Sequence, residues 1–322
     1  MRQKGRTRVN KDKLLAVLSN GEKKALYILN ILFEMEARRN SARETLFVID
    51  DIADSFDYKN KYAIIQYLKD MSDETNFRLI ILTHNFDFFR TLRSRFVPYS
   101  QCRMAQKDGD EVALIKAEGI VNPFVKDFKP NFFTKPIKRI ASIPFIRNLL
   151  EYTRGDDDED YGTLTSLLHW KSNSSLIKQI ELDRIFGETF NESGQWENPD
   201  ESVIECIFRA GDECLDAGAS INFDYKIVLS IAIRLTAEKF MAEKIADVTF
   251  LDSIDKNQTP VLLVEYKRRF PADTATQKIV DNVILMTPEN IHVNSFMYEP
   301  ILDMSDDHLR KLYRSVKKLG SS

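Results

Sequence analysis

Three sets of residues in the first part of the chain have the types and spacing for phosphate and metal chemistry. Leu18-Ser19-Asn20-Gly21-Glu22 precedes a predicted helix, whose free N–H groups and positive dipole end attract anions such as phosphate. Asp50 and Asp51 follow Thr45–Ile49, a β-branched apolar run typical of a buried parallel strand. Carboxylates are ligands that Mg²⁺ prefers. His84 follows a second apolar run and adds an imidazole that can contact a phosphate.

The helix after the first set should begin at a defined cap and bury one face. Ser19 is the predicted N-cap, with Glu22 at the capping-box position. Apolar residues then recur at helical spacing, which predicts a buried face; they are Ala25, Ile28, Leu29, Leu32 and Met35. Taken alone, residues 19–22 also fit an ordinary capped helix, so the order of the three sets carries the functional interpretation.

That order resembles the second half of an ABC-type ATPase head. Asp50 follows Ser19 by 31 residues, and His84 follows Asp50 by 34. The resemblance implies that Ser19, Gly21 and Glu22 belong to the signature loop, which contacts ATP.

The same resemblance gives roles to the residues at the strand ends. Asp50 corresponds to the Walker B carboxylate that holds Mg²⁺, usually through water. Asp51 stands where the family usually has a glutamate general base, and its shorter side chain reaches less far. Asp57, in Ser55-Phe56-Asp57, corresponds to the D-loop, and His84 corresponds to the switch histidine that contacts the γ-phosphate.

The phosphate-cradling Walker A loop of such heads, G-x-x-x-x-G-K-[ST], does not occur in this sequence. We therefore interpret the chain as a fragment or split subunit of an ABC-type ATPase, which binds ATP and Mg²⁺ only when completed. The expected partner is an N-terminal ATPase half carrying the Walker A loop, or a second copy in a homodimer of a full-length parent. Without that half, the predicted sheet should expose an apolar surface.

The fold class predicted from these patterns is an α/β partial head followed by an all-α, HEPN-like helical domain. The expected divisions are residues 1–118 for the head half, 119–140 for a basic and aromatic connector, and 141–322 for the helical domain. Helices are predicted at 142–154, 161–171, 174–187, 200–217, 224–246, 260–269, 273–286 and 305–318. Residues 101–105 and 112–117 should pair as a hairpin around Asp108-Gly109.

Composition narrows the class of protein. A chain of 322 residues with 43% apolar content has room for two domains with real cores. The net charge of −3 argues against a globally basic nucleic-acid binder. The three cysteines have neither disulfide nor metal spacing, which suits a reducing cytoplasm. The apolar runs are too short to span a bilayer, so no membrane partner is expected.

The connector alternates aromatic rings with cations. Its rings are Phe124, Phe128, Phe132 and Phe133, and lysines and an arginine lie between and after them. Such alternation suits phosphate contact combined with base stacking. It also suits a proline-rich connector that is pinned to the protein by its aromatic rings.

One predicted helix of the second half carries charges inside an apolar seam. Positions 227, 231, 234, 238, 241 and 245 share one face, and Arg234 and Glu238 are the charged members. Removing such charges from water is costly unless they are well paired, and active sites are where buried charges are arranged for use. His292 adds an imidazole farther along. An arginine, a glutamate and a histidine together suit RNA cleavage by the 2′-OH.

An ATPase head followed by a helical domain is similar to the anticodon nucleases of the PrrC and RloC type, whose helical domain is of the HEPN class. The resemblance implies a nucleotide-gated ribonuclease that acts on tRNA in phage defence. In that resemblance Arg234, Glu238 and His292 are the catalytic set. A competing set consists of Arg147, Glu151 and His169.

Three alternatives stay open. Arg234 and Glu238 also fit a structural ion pair inside a helical bundle. Asp252, Glu265 and Lys267 mimic the D…E-x-K of metal-dependent DNases, but a helix over 260–269 would point the last two apart. In function, the chain also fits an SMC- or repair-like ABC ATPase fragment whose helical domain only binds a nucleic acid or a protein partner.

The missing phosphate loop gives the first prediction. The isolated, monomeric chain should not bind ATP tightly, because Asp50 and His84 cannot replace the backbone N–H groups that cradle the phosphates. Isothermal titration of the purified chain with ATP measures this. Micromolar binding by the monomer would contradict the prediction.

Overall fold

The computed structural model of the protein describes residues 17–39, 43–52, 58–108, 111–117, 124–216, 223–287 and 306–320. The chain divides into two units, residues 1–102 and 103–322.

The first unit alternates helices with two parallel strands. The α-helices and strands of its described residues are, in chain order, α1 (Asn20–Arg39), β1 (Thr45–Asp50), α2 (Tyr58–Ser72), β2 (Phe77–Leu82) and α3 (Phe86–Arg95). The strands pair in register from Thr45 opposite Phe77 to Asp50 opposite Leu82. The two strands therefore end together, at the same edge of the sheet.

One face of this sheet packs against the core of the first unit. Phe47, Ile49, Leu79 and Ile81 contact a buried cluster that includes Leu68, Met71 and Leu92 from the helices. The residues between them point to the other face and are between 46% and 61% exposed; they are Leu46, Val48, Ile80 and Leu82. Parallel sheets are usually covered on both faces. The predicted apolar sheet surface is thus confirmed, and we call these four residues the open sheet face.

The second unit begins with the predicted hairpin. Strands β3 (Arg103–Asp108) and β4 (Glu111–Lys116) pair antiparallel, with Asp108 opposite Glu111. Gly109 of the predicted turn lies outside the described residues. The hairpin belongs to the second unit, whereas the sequence-based boundary at residue 118 placed it in the first.

The connector packs into the second unit, and its predicted base-stacking role is wrong for the rings that it buries. Phe124, Phe128 and Phe132 are at most 2% exposed. Phe132 stacks on Phe186 at 3.7 Å between ring centroids, and Phe124 stacks on Phe145 at 3.8 Å. Rings buried against other rings cannot stack on bases, so the alternative interpretation, a connector pinned by its aromatic side chains, is confirmed.

Two cations at the end of this segment are also engaged inside the protein. Lys138 Nζ lies 2.7 Å from Asp224 and also contacts Asp127. Arg139 is fully buried, 2.7 Å from Asp183. Both belong to helix α4 (Pro136–Arg154), which begins inside the predicted connector because Pro136 is a favourable first helical residue.

Eight further α-helices lie in the described part of the second unit. They are α5 (Glu159–Thr165), α6 (Gln179–Phe190), α7 (Val203–Asp216), α8 (Phe223–Ile245), α9 (Val248–Asp252), α10 (Gln258–Arg269), α11 (Thr274–Met286) and α12 (Asp306–Leu319). Each of the eight predicted segments contains a helix, and α9 was not predicted. No helix among the described residues is long and apolar enough to cross a membrane.

Residues 166–178 differ most from the prediction, which extended two helices into them. Ser174 explains part of the break. Its hydroxyl accepts from the Lys171 N–H at 2.7 Å and donates to the Ser166 carbonyl at 2.6 Å. Such side-chain bonds offer the backbone an alternative to helical hydrogen bonds. The segment therefore turns back towards the centre of the unit.

Helix α8 is the centre of the second unit. It packs against α4, α7, α10, α11 and α12, and it is buried around its circumference. A helix that is apolar on all sides requires such an environment. The charged residues Arg234 and Glu238 are consequently in the core.

The two faces of β2 give a matched pair of variants. Ile81→Ala should lower the free energy of unfolding of the first unit by about 2 kcal/mol, because it removes packed atoms next to the core. Ile80→Ala, on the open sheet face, should change it by less than about 0.5 kcal/mol. Hydrogen exchange of the β1 and β2 amides reports on this unit alone. Equal losses for both variants would show that the open sheet face is covered.

Candidate functional site

The signature-like segment forms the predicted capping box at the start of α1. The Ser19 N–H donates to Glu22 Oε2 at 2.8 Å, and the Glu22 N–H donates to Ser19 Oγ at 3.3 Å. The backbone N–H of Ser19 and its hydroxyl lower the pKa of the Glu22 carboxyl. Gly21 lies in the first turn of the same helix. The segment thus presents a helix N-terminus, which suits an anion.

Asp51 and His84 are in contact at the ends of the parallel strands, and together with the preceding Asp50 we call them the strand-end corner. The Asp51 N–H donates to the Leu82 carbonyl at 3.1 Å. Asp51 Oδ1 accepts from the His84 N–H at 3.3 Å and lies 2.9 Å from His84 Nδ1. Asp50, the last residue of β1, is exposed beside them. The carboxyl ends of parallel strands are where α/β folds bind ligands.

The backbone of Asp51 is strained to make this contact. Its φ angle is +44°, in the left-handed region that disfavours most side chains but that aspartate tolerates. This conformation lets the carboxylate reach back to the loop that carries His84. A carboxylate on Nδ1 fixes the orientation and tautomer of an imidazole. Asp51 therefore positions His84, which is largely exposed.

Asp57, the predicted D-loop residue, lies outside the described residues, as does His292. Their assignments stay predictions. Among the described residues, no group of three or more histidine, cysteine or acidic side chains could hold a metal ion by itself. A metal ion at Asp50 would therefore need further oxygen ligands, as Mg²⁺ obtains from water and phosphate.

In the second unit, Glu238 is a buried carboxylate that accepts four hydrogen bonds. The donors are His169 Nδ1 at 3.0 Å, the Trp170 N–H at 2.7 Å, Gln258 Nε2 at 3.0 Å and the Thr259 hydroxyl at 2.6 Å. The side chain is 0% exposed. A buried carboxylate is stable only with such a set of partners.

The charge state of Glu238 follows from these partners. Burial raises its pKa, but the imidazole of His169, the hydroxyl of Thr259 and the charge of Arg234 together hold the pKa below its ordinary value. Arg234, also fully buried, donates from Nη2 to the Thr287 carbonyl at 2.6 Å. Glu238 is thus an ionised anchor in the core.

The structure combines members of the two predicted catalytic sets. His169, predicted to work with Arg147 and Glu151, instead contacts Glu238 of the other set. Arg147 Nε donates to the Thr165 hydroxyl at 3.0 Å, and Glu151 Oε2 lies 3.7 Å from Arg147 Nη1. Sequence reasoning missed the His169–Glu238 contact because 69 residues separate them and no periodicity connects a turn to a helix.

The DNase-like residues are not arranged for a metal ion. Glu265 and Lys267 lie on α10, which confirms the predicted helix. Glu265 bonds to Arg268 and Arg269, which lower its pKa to about 2, while Lys267 bonds to Asp281. The E-x-K interpretation of this segment is therefore excluded.

A family model described as an AAA domain matches residues 6–129. This match supports an ATPase-family domain in the first part of the chain, with the strand-end corner inside it. AAA-type ATPase domains are generally dependent on a nucleotide and Mg²⁺. No curated protein and no solved structure matches the chain.

The buried carboxylate predicts how the stability of the second unit depends on pH. Because the pKa of folded Glu238 lies below its ordinary value of 4.5, its contribution to stability is complete above about pH 4.5 and is lost as the pH falls through the folded pKa. Glu238→Gln should lower the unfolding free energy at pH 7 by about 3–5 kcal/mol and should weaken the decline of stability as the pH falls below about 4.5.

Urea unfolding followed by tryptophan fluorescence measures this, since both tryptophans, Trp170 and Trp196, lie in the second unit. Glu243→Gln is the control, because Glu243 lies on the same helix with a largely exposed side chain. An unchanged pH dependence in Glu238→Gln would contradict the assignment of an ionised anchor.

Proposed function

We propose that the first unit is the C-terminal half of an ABC-type ATPase head. The observation that carries the proposal is the strand-end corner: Asp51 and His84 are in contact where two parallel strands end, and the exposed Asp50 precedes Asp51 as the last residue of β1. A capped helix N-terminus, suited to a phosphate, belongs to the same unit. The family match to an AAA domain supports ATPase chemistry for this part of the chain.

The residues present suit Mg²⁺ and ATP in part. Asp50 would hold the metal ion, because its carboxylate is exposed at the strand end. Mg²⁺ would supply charge neutralisation on the phosphate oxygens. Asp51 positions His84, and His84 would contact the γ-phosphate. Ser19, Gly21 and Glu22 would face the nucleotide of an opposing head, where the N-terminus of α1 attracts a phosphate.

The head half requires a partner in this proposal. No segment of the sequence supplies the G-x-x-x-x-G-K-[ST] loop. The open sheet face supports the need for a covering segment, since its four apolar residues are exposed on the same face of the sheet as Asp50. We therefore propose an N-terminal ATPase half that carries the Walker A loop, or a homodimer of a full-length parent, as the partner.

The second unit is the proposed effector, a ribonuclease that acts on tRNA or another RNA in phage defence and is gated by the nucleotide. Its support is the carboxylate-bound His169, an imidazole held as acid–base groups are held. Arg234 and Glu238 are too deeply buried to touch RNA, which leaves them positioning roles. The alternative is an SMC- or repair-like ATPase fragment whose helical unit only binds a nucleic acid or protein partner.

Complementation tests the ATPase proposal. When an N-terminal head half with a Walker A loop is supplied, ATP hydrolysis should appear and should fall on the order of 10²-fold or more in Asp51→Asn and in His84→Ala. Asparagine tolerates the left-handed conformation of residue 51, so the fold should be kept. The control is Asp73→Ala, which removes only a surface ion pair with Lys69.

Phosphate release from ATP, measured at saturating Mg²⁺, gives the readout. Full turnover by Asp51→Asn would show that the strand-end corner is not the hydrolytic site.

A further inference from the structure

The part of the chain that matches the ATPase family extends beyond the first unit. The match covers residues 6–129, whereas the second unit begins at Arg103. Residues 103–129 therefore belong both to the ATPase-family match and to the second unit, and we call them the shared segment. The shared segment begins with the hairpin and ends with a π-helical turn, Phe124–Phe128, followed by Lys129. Turns of this kind are rare and often occur at functional sites.

The π-helical turn is held inside the second unit by its aromatic rings. The ring centroid of Phe124 lies 3.8 Å from that of Phe145, on α4, and 5.1 Å from that of Phe190, on α6. Phe128 is 2% exposed, and its ring lies 6.4 Å from that of Phe223, the first residue of α8. The end of the shared segment therefore packs beside the start of the central helix.

One lysine of α4 joins the π-helical turn to the same helix by charge. Lys138 Nζ lies 2.7 Å from Asp224, in the first turn of α8, and also contacts Asp127 of the π-helical turn. Burial lowers the pKa of the Lys138 amine, but the hydrogen bonds and charges of the two carboxylates raise this pKa above its ordinary value. The amine is therefore charged, and it bridges the shared segment and α8.

The two carboxylates differ in how easily they can leave Lys138. The Asp224 side chain is 4% exposed, so its separation from the amine would leave a buried charge without a partner, which is costly. The Asp127 side chain is 35% exposed, so water can solvate it once the contact opens, and ion pairs that water reaches contribute little to stability. The Lys138–Asp224 pair is therefore the stable one, and the Asp127–Lys138 pair can open and close.

Helix α8 connects this pair of contacts to the buried network of Glu238. The helix is continuous over Phe223–Ile245, and Glu238 lies about four turns, or roughly 21 Å, beyond Asp224. Rigid secondary elements carry coupling between distant places in a protein. A displacement at the start of α8 therefore reaches the carboxylate that binds the turn after α5 and the start of α10.

We propose that Asp127 and Lys138 form a latch that couples the shared segment to α8. While the latch is closed, the π-helical turn and the start of α8 are held together. A nucleotide-driven movement of the ATPase head is passed along the continuous chain to the shared segment, opens the latch and releases the start of α8. The nucleotide as the cause of the movement rests on the proposed function, whereas the latch is a property of the second unit alone.

The decisive variant is Asp127→Ala, because it removes the outer carboxylate and leaves Lys138 paired with Asp224. In the full chain without nucleotide, hydrogen exchange measured by mass spectrometry should become about 10-fold faster in residues 124–131 and in the first turns of α8, since a charge-assisted hydrogen bond no longer opposes local opening. Unchanged exchange in α8 would overturn the latch.

Glu192→Gln is the matched control for this variant. It removes the ion pair, 3.0 Å long, between Lys129 of the shared segment and Glu192, which follows α6. The control therefore weakens the attachment of the same segment to a different element. Exchange in the first turns of α8 should stay at the wild-type rate. An acceleration in α8 equal to that of Asp127→Ala would show that the latch has no special role.

A second measurement distinguishes coupling from a purely structural contact. In the chain completed with its head half, a non-hydrolysable ATP analogue with Mg²⁺ should accelerate exchange in the first turns of α8. In completed Asp127→Ala, the same addition should change exchange in the head but not further in α8, because the latch is already open. The same nucleotide response of α8 in both proteins would overturn the coupling.

The outcomes separate the latch from the proposed function. A nucleotide response in the wild-type head without any response in α8 overturns the latch and leaves the ATPase function standing. No response in the wild-type head overturns the ATPase function and the nucleotide as the cause of movement. In that case the exchange of Asp127→Ala without nucleotide still decides whether Asp127 and Lys138 join the shared segment to α8.

Discussion

The arrangement of the second unit depends on one constraint: the charge of Glu238 must be matched inside the protein. Its carboxylate lies on the central helix, and its four donors come from the turn after α5 and from the start of α10. Each donor has to be in place for the buried charge to be tolerated. The interaction therefore fixes the positions of two segments that are far apart in sequence. One of them, the turn at residues 169 and 170, is held in place although it has no regular secondary structure.

A second buried charge, that of Arg139, holds the connector in place in the same way. Arg139 pairs with Asp183 and is flanked by Phe132 and Trp196, at 4.5 Å and 4.9 Å from the two ring centroids. Cation–ring contacts of this kind are strongest where water is excluded. The buried aromatic rings of the connector are thus engaged in packing within the second unit. In the first unit, by contrast, the small sheet leaves the apolar side chains of one face exposed.

Periodicity and capping chemistry are local, and what they predict agrees with the structure except in residues 166–178, where two predicted helices extend too far. The Ser19–Glu22 capping box, the strands ending at Asp50 and Leu82, and the helix over residues 260–269 could all be predicted from neighbouring residues. The contact of His169 with Glu238 could not, because it depends on tertiary packing between segments far apart in sequence. The connector could not be decided either, since alternating rings and cations suit a nucleic acid and an aromatic core equally well.

Asp51 has a consequence for how the first unit tolerates change. Glycine would adopt the φ of +44° with less strain than aspartate does. The backbone conformation therefore gives no reason for a carboxylate at this position, and a drift to glycine would relax the backbone while releasing His84. Selection that keeps aspartate here has to act through what the side chain does, so variation at residue 51 distinguishes chains under functional constraint from chains that are merely required to fold.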